Sequence, residues 1–399
     1  MMKDAEKAYI NKRKRQALWN SFRYILCRIF PVKTKRIAVC TFEGRSGFCC
    51  NPKYIVEELH KRNSEYEFIW FVDDIEKEFP NYIKKVKNTP WNRAYWLSTS
   101  KVWVDNYRKT YGTLKRKGQL YINTWHGTLC IKPIGKYRGD LFPEIARLVS
   151  EADSKLIDYV LSGSGWCDKH YRDGLVYDGE IIRTGSPRCD ILLKKRELQK
   201  EQIRKQYNIP NDAKILMYAP TFRGGSQSTN RSVGSGEMQI DFDKLIDVLE
   251  ERFGGEWYIM LRLHPQLAAK NEYCKTKGKN DRLRDVTQAP DMNELMAGVD
   301  AFITDYSSAI FEACLMRIPC FIYADDLEEY IKERGDLFFD MYELPFPVAL
   351  NNQELVENVK EFDETLYLEK LEQFILDEDI TEDGSASENV ADLIEGKMS

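Results

Sequence analysis

His126 sits in the stretch TWHGT (124–128), at the end of the apolar run LYINTW (120–125) and directly before Gly127. An imidazole of ordinary pKa, about 6.5, accepts a proton near neutral pH. A glycine beside it lets another backbone or a substrate come close. Those are the needs of a general base for an attacking hydroxyl. A hydrogen-bonded structural histidine at a strand end fits the same residues equally well. In MLRLHPQ (260–266), Arg262 and His264 alternate with Leu261 and Leu263, so cation and imidazole share one strand face, and Pro265 ends the strand. That pair suits an anion, most simply a phosphate; a solvated strand face is the plainer alternative. In ITDYSSAIFEACLMR (303–317), Ser307 or Ser308 opens a helix whose apolar face is Ile310, Phe311, Cys314 and Leu315. Serine caps helices, and a helix start also offers unbonded N–H groups and the positive dipole end to a phosphate. Glu312, one turn further, is placed to accept from ribose hydroxyls.

Other chemistries lack their signatures. There is no G-x-x-x-x-G-K-[ST], no G-x-G-x-x-G and no G-x-S-x-G, and no His/Cys/Asp/Glu spacing matches a zinc or calcium site. We expect no cofactor and no metal.

The elements that must position these groups alternate between strand and helix patterns. Apolar runs at 36–42, 67–73, 101–106, 120–125, 159–164 and 180–185 form one series, and runs at 214–222, 257–264, 284–288, 301–307 and 319–324 form a second. Such alternation predicts α/β architecture with parallel sheets covered on both faces. A charged helical stretch at 193–211 connects the series, and a Gly/Ser-rich loop at 224–239 follows the first strand of the second. We therefore divide the chain into a basic segment 1–34, a Rossmann-like domain 35–195, a second Rossmann-like domain 196–350 and acidic helices 351–399. Ligands of such sheets lie beyond the carboxyl ends of the strands, where all three clusters fall.

Charge is distributed unevenly. Residues 1–36 hold eleven Lys/Arg against Asp4 and Glu6, a net +9, so the remainder of this −4 chain sums to −13. Within 15–30, Leu18, Phe22, Ile25 and Ile29 recur at helical spacing between Lys12–Arg15 and the cations Arg23 and Arg28. This is the pattern of a helix lying in the plane of an anionic membrane surface; docking of the same face on the protein's own core is the alternative. Basic residues elsewhere are interspersed with acids, which argues against nucleic acid. No apolar stretch approaches the roughly 20 residues that span a bilayer. Ten cysteines without a C-x-x-C read as reduced thiols. We expect a peripheral protein at the cytoplasmic face of the membrane.

Taken together, TWHGT (124–128), TGSPRCD (184–190), YAPTFR (218–223), RLHP (262–265), DMNELMAGVDAFITDYSSAIFEA (291–313) and FIYADDLEEYIKERGDLFFD (321–340) resemble, in wording and order, the CDP-glycerol glycerophosphotransferase family of teichoic-acid and related polymer synthesis. The resemblance implies two facing Rossmann-like domains, the GT-B arrangement. It implies transfer of glycerol phosphate, or another polyol phosphate, from a CDP-activated donor to a hydroxyl of a lipid-linked saccharide or polyol-phosphate acceptor, with release of CMP. By motif, His126 is then the base and His264 the second catalytic histidine. Arg262, Ser307, Ser308 and Arg223 bind the donor phosphates, and Glu312 binds its ribose. Cys189 stands where the family usually has Asn, and Gly135 comes later after WHGT than usual. The short form of the chain implies addition of one or a few units. A sugar-nucleotide glycosyltransferase and a catalytically silent polymer-binding protein are the competing readings.

Overall fold

The computed structural model describes residues 2–221, 240–263 and 281–398. Arg223, His264 and the loop 224–239 lie outside the described residues. The chain divides into two compact units, one of Met1–Thr128, Ile134–Asp190 and Ile380–Ser399, the other of Leu129–Pro133 and Ile191–Asp379.

Unit 1 is built on seven parallel strands: β1 (Lys33–Cys40), β2 (Glu67–Val72), β3 (Ile83–Lys87), β4 (Ser100–Asp105), β5 (Leu120–Asn123), β6 (Tyr159–Ser162) and β7 (Glu180–Arg183), in the order β3-β2-β1-β4-β5-β6-β7. Helices cover both faces, so the central strands read as unbroken apolar runs. Alternate residues still go to opposite layers. Ile37, Val39, Phe68, Trp70, Val102 and Val104 pack with Ile55 and Leu59 of α2 (Cys50–Arg62). Ala38, Cys40, Ile69, Phe71, Trp103 and Tyr121 pack with Ala94 and Leu97 of α3 (Pro90–Thr99) and with Tyr24 and Cys27 of α1 (Met2–Cys27).

The acidic segment 351–399 is shared between the units. Its last helix, Ala386–Met398, belongs to unit 1 and packs Val390, Ala391 and Ile394 into the α2 layer. Asp190, the last residue of TGSPRCD, caps this helix by accepting from the amides of Ala386 (3.0 Å) and Ser387 (2.7 Å).

Unit 2 repeats the plan with six parallel strands, β8 (Lys214–Tyr218), β9 (Trp257–Leu261), β10 (Leu283–Asp285), β11 (Ala301–Thr304), β12 (Cys320–Tyr323) and β13 (Val348–Ala349), in the order β10-β9-β8-β11-β12-β13. β3 and β13 are the two strands that apolar patterning does not predict. β3 reads IKKVK, with exposed lysines along a sheet edge, and β13 has only two residues. Charged or very short edge strands are how sheets avoid pairing with other chains.

The alternative in which the expected apolar stripe of α1 docks on the protein's own core needs correction. The helix docks on unit 1, yet through a different face: Ala17, Asn20, Tyr24 and Cys27 are buried. Asn20 Nδ2 donates to the Tyr111 carbonyl (3.1 Å) and Ser21 Oγ to that of Gly112 (2.9 Å). The approach is so close that a Cβ on Gly112 would sit 2.1 Å from the Ala17 carbonyl oxygen. Leu18, Trp19, Phe22 and Ile25 remain exposed, at 72, 67, 47 and 52%. Apolar residues thus occupy two sides of α1, and helical spacing picked out the side that the fold leaves in water.

Candidate active site

In unit 1 the strand order reverses between β1 and β4, and such a switch point opens a crevice beyond the strand ends. The half-buried His126, just past β5, is held there by residues from both strands. Its Nδ1 lies 2.8 Å from the carbonyl oxygen of Asn106, the residue after β4. A carbonyl can only accept, so Nδ1 carries the proton and the basic lone pair of the neutral ring is on Nε2. Asn106 Oδ1 in turn accepts from the amide of Phe42, beyond β1, at 2.8 Å. Three rings enclose the imidazole, with centroids at 4.2 Å for Trp125, 5.2 Å for Phe42 and 5.9 Å for Tyr107.

The backbone of TWHGT is clamped as well. Trp125 has φ +48°, a left-handed conformation unusual for a bulky residue, and its amide donates to Asn123 Oδ1 (2.9 Å). Asn51 Nδ2 bridges the carbonyls of Thr124 (3.3 Å) and Trp125 (3.2 Å). Arg188 of TGSPRCD donates to the His126 carbonyl (2.6 Å), while its amide donates to Asn51 Oδ1 (3.0 Å). Tyr171 Oη donates to the Gly127 carbonyl (2.6 Å), and Thr128 O accepts from Cys167 Sγ (2.6 Å). Cys189, at the departure from the family pattern, is fully buried with its thiol 3.7 Å from Thr128 Oγ1.

Near His126 lies a buried polar group set. Lys109 Nζ pairs with Asp105, and the Lys109 amide donates to Asp153 Oδ1 (3.1 Å). The pair closes residues 105–109 into a loop that carries Asn106 and Tyr107. Burial raises the Asp105 carboxyl to about 6 against the opposing pull of Lys109, and raises Asp153 to about 7. Asn106, Asn51 and Arg188 are positioning residues that sequence reading missed. Arg188 stood inside a quoted motif, whereas a backbone carbonyl such as that of Asn106 leaves no sequence signature at all.

In unit 2 the reversal falls between β8 and β11. Asp305, buried after β11, ties the two strand ends together by accepting from the amide of Thr221 through both oxygens (2.8 and 2.9 Å). Ser307 and Ser308 follow, both half-buried; Ser307 Oγ accepts from the Ala309 amide (3.3 Å) and Ser308 Oγ from that of Ile131 (3.4 Å). The helix they were expected to open is short: Ile310–Ala313 runs into a tighter turn, Cys314–Met316, which ends at Arg317 with φ +56°. So short an element carries little aligned dipole. Glu312 is 1% exposed, and its Oε2 accepts from Asn293 Nδ2 (2.8 Å). Arg262 lies after β9, where its Nη1 donates to the carbonyls of Val286 and Thr287, both at 2.7 Å. No group of three or more metal-ligating side chains occurs among the described residues.

Residues 21–396 match the family model described as CDP-Glycerol:Poly(glycerophosphate) glycerophosphotransferase. The teichoic acid poly(glycerol phosphate) polymerase of Staphylococcus epidermidis is 30% identical over 375 residues, 91% of this chain and 51% of that protein. The teichoic acid glycerol-phosphate transferase of Staphylococcus aureus is 28% identical over 375 residues, covering 89% of this chain and 91% of that one. The chain spans about half the length of several curated relatives. Among solved structures, the wall teichoic acid polymerase TagF superposes with a TM-score of 0.81 at 26% identity, over 98% of both chains. A histidine variant of that enzyme was soaked with CDPG.

Proposed function

The chain belongs to the CDP-glycerol:poly(glycerophosphate) glycerophosphotransferase family, and from that premise we propose that it transfers a polyol phosphate from CDP-glycerol, or a related CDP-polyol, to a hydroxyl of a lipid-linked acceptor in teichoic-acid or related surface-polymer synthesis. The observation that carries this reading is the 2.8 Å contact between His126 Nδ1 and the Asn106 carbonyl, which puts the proton of the neutral ring on Nδ1 and its basic lone pair on Nε2. In the reaction, Nε2 takes the proton of the acceptor hydroxyl, and the oxygen attacks the polyol-bearing phosphorus of the donor. The P–O bond to the bridging oxygen breaks, and CMP leaves with that oxygen and its electron pair. Little covalent help is needed; positioning and stabilisation of the departing charge dominate phosphoryl transfer.

The donor belongs with unit 2, in a GT-B arrangement of the two units. There Ser307 and Ser308 present hydroxyls beside a strand reversal, and Arg262 with the motif residues Arg223 and His264 supplies positive charge, whereas the ribose role expected of Glu312 is not kept, since its carboxylate is buried on Asn293. The enzyme works as a peripheral protein on the cytoplasmic face of the membrane, attached through α1. In support, exposed Leu18, Trp19, Phe22 and Ile25 neighbour the cations Lys12–Arg15, Arg23 and Arg28. Each cation near an anionic surface contributes about 1 kcal/mol. No helix among the described residues is long and apolar enough to cross a membrane.

The test incubates the purified chain with a lipid-linked acceptor and, separately, CDP-glycerol, CDP-ribitol and UDP-glucose, and identifies the nucleotide released. Acceptor-dependent CMP is expected. UDP release alone would point to a sugar-nucleotide glycosyltransferase, and no release from any donor to a silent polymer-binding protein.

A further inference from the structure

Three consecutive carbonyls at the end of β4 meet the segment that carries the base. The Asp105 carbonyl accepts from the Thr124 amide (2.7 Å), the Asn106 carbonyl from His126 Nδ1 (2.8 Å) and the Tyr107 carbonyl from Asn123 Nδ2 (3.2 Å). Of the three, only the Asn106 carbonyl meets a titratable ring. Its aim decides which nitrogen keeps the proton, and that aim depends on the short loop to which it belongs.

Both ends of the loop are anchored. Lys109 Nζ pairs with the Asp105 carboxylate, and both side chains are only 6% exposed. The same ammonium stands over the rings of Trp103 (5.5 Å) and Tyr121 (5.2 Å), register partners on β4 and β5. The Lys109 amide donates to Asp153 Oδ1 (3.1 Å) on α4 (Glu144–Ser154). Asn106, Tyr107 and Arg108 therefore bridge two fixed points, and so short a closed loop has few conformations open to it. Within it, the Tyr107 ring lies nearly parallel to those of Trp125 (11°, centroids 6.2 Å apart) and His126 (25°, 5.9 Å).

Stability is a poor reason for the pair. Desolvating two charges costs about what their attraction returns, and well-packed apolar residues in their place are often as stable or more so. What a hydrogen-bonded ion pair supplies beyond an apolar one is a defined geometry. We propose that the buried Lys109–Asp105 pair is a positioning device for His126, closing the 105–109 loop in the conformation that aims the Asn106 carbonyl at Nδ1. Both residues act through Asn106. The proposal rests on the general-base role given to His126 above and deepens it by naming the groups that set its tautomer.

The test replaces the pair by apolar residues of similar volume, Asp105→Leu/Lys109→Met, in the full chain. Thermal melting controls for folding; should this variant melt early, the isosteric Asp105→Asn carries the comparison. Imidazole nitrogens are observed by 15N NMR at about pH 8.5, well above the ordinary histidine value of about 6.5, and the His126 signals are assigned by their loss in His126→Ala. The wild-type ring should hold its proton on Nδ1 alone. The variant should show a mixture of the two tautomers, with kcat for CMP release lowered about tenfold, the scale of one lost hydrogen bond, and donor KM unchanged. A single Nδ1–H tautomer retained in the variant would overturn the proposal, whatever the melting temperature or kcat. Normal turnover from a mixed tautomer would overturn it as well. The NMR reading needs neither donor nor acceptor. A tautomer lost in the variant thus supports the positioning role even if the wild-type chain releases no CMP, an outcome that would remove only the general-base reading.

Discussion

The two strand reversals hold their candidate residues in opposite ways. In unit 1 the candidate group is one ring, and its neighbours orient that ring: Asn106 sets its tautomer, Arg188 and Asn51 pin its backbone, and Phe42, Tyr107 and Trp125 enclose it. In unit 2 the charged candidates themselves brace loops. Arg262 holds the carbonyls after β10, Glu312 holds Asn293, and Asp305 joins β8 to β11. A general base must meet one proton along one direction, so it is served by positioning residues. A nucleotide diphosphate presents many oxygens, and a set of braced loops with hydroxyls and amides can meet them collectively.

The comparison breaks most visibly at His126. His126→Ala should lower kcat for CMP release by about 10³-fold, the usual scale of a lost general base, with donor affinity by calorimetry within about twofold of wild type. Near-normal turnover would show that unit 1 orients a ring with no catalytic work. Arg188→Ala comes next, with an expected loss of about 10- to 100-fold in kcat, corresponding to one charge-assisted bond to the His126 carbonyl. Because the ring itself remains, the donor KM should be unchanged; a shift in KM alone would move Arg188 to donor binding. Ser308→Ala should weaken donor affinity about fivefold with little change in melting temperature, consistent with one neutral hydrogen bond. Arg262→Gln should instead lower the melting temperature along with donor affinity, since it also releases two carbonyls. Equal behaviour of the two variants would erase the distinction between contacting and bracing groups in unit 2.

The smallest effect concerns the polar set near His126. Asp153 is raised by burial to about 7 from an unfolded value of about 3.9. The folded protein therefore binds more protons than the unfolded chain across that window, and stability falls as pH rises from about 4 to about 7. Asp153→Asn should flatten this slope in denaturant titrations. An identical slope in the variant would assign the effect to other groups.

Much of this molecule was legible before its structure. Among the described residues, eleven of the thirteen strands coincide with apolar runs, because a central strand covered on both faces must be apolar wherever it runs. The same logic fails at β3, where an edge strand can keep its lysines in water, and at β13, too short to form a pattern. The site was legible as motifs and their order, but the work of the individual residues was not. Asp190 belongs to a motif that carries the family resemblance and is the cap of a helix 196 residues further on. Glu312 lies at the expected place on its helix, yet its carboxylate is buried on Asn293.

What the amino-acid order determined alone is the pair of parallel sheets, the family and the position of His126 beyond a strand, since each follows from local hydrophobicity or from short contiguous motifs. Tertiary structure decided which nitrogen of that histidine is basic, which face of α1 meets water, and where the last helix returns. Those outcomes depend on hydrogen-bond and packing partners 20 to 196 residues apart. A linear sequence specifies such partners only through the completed fold.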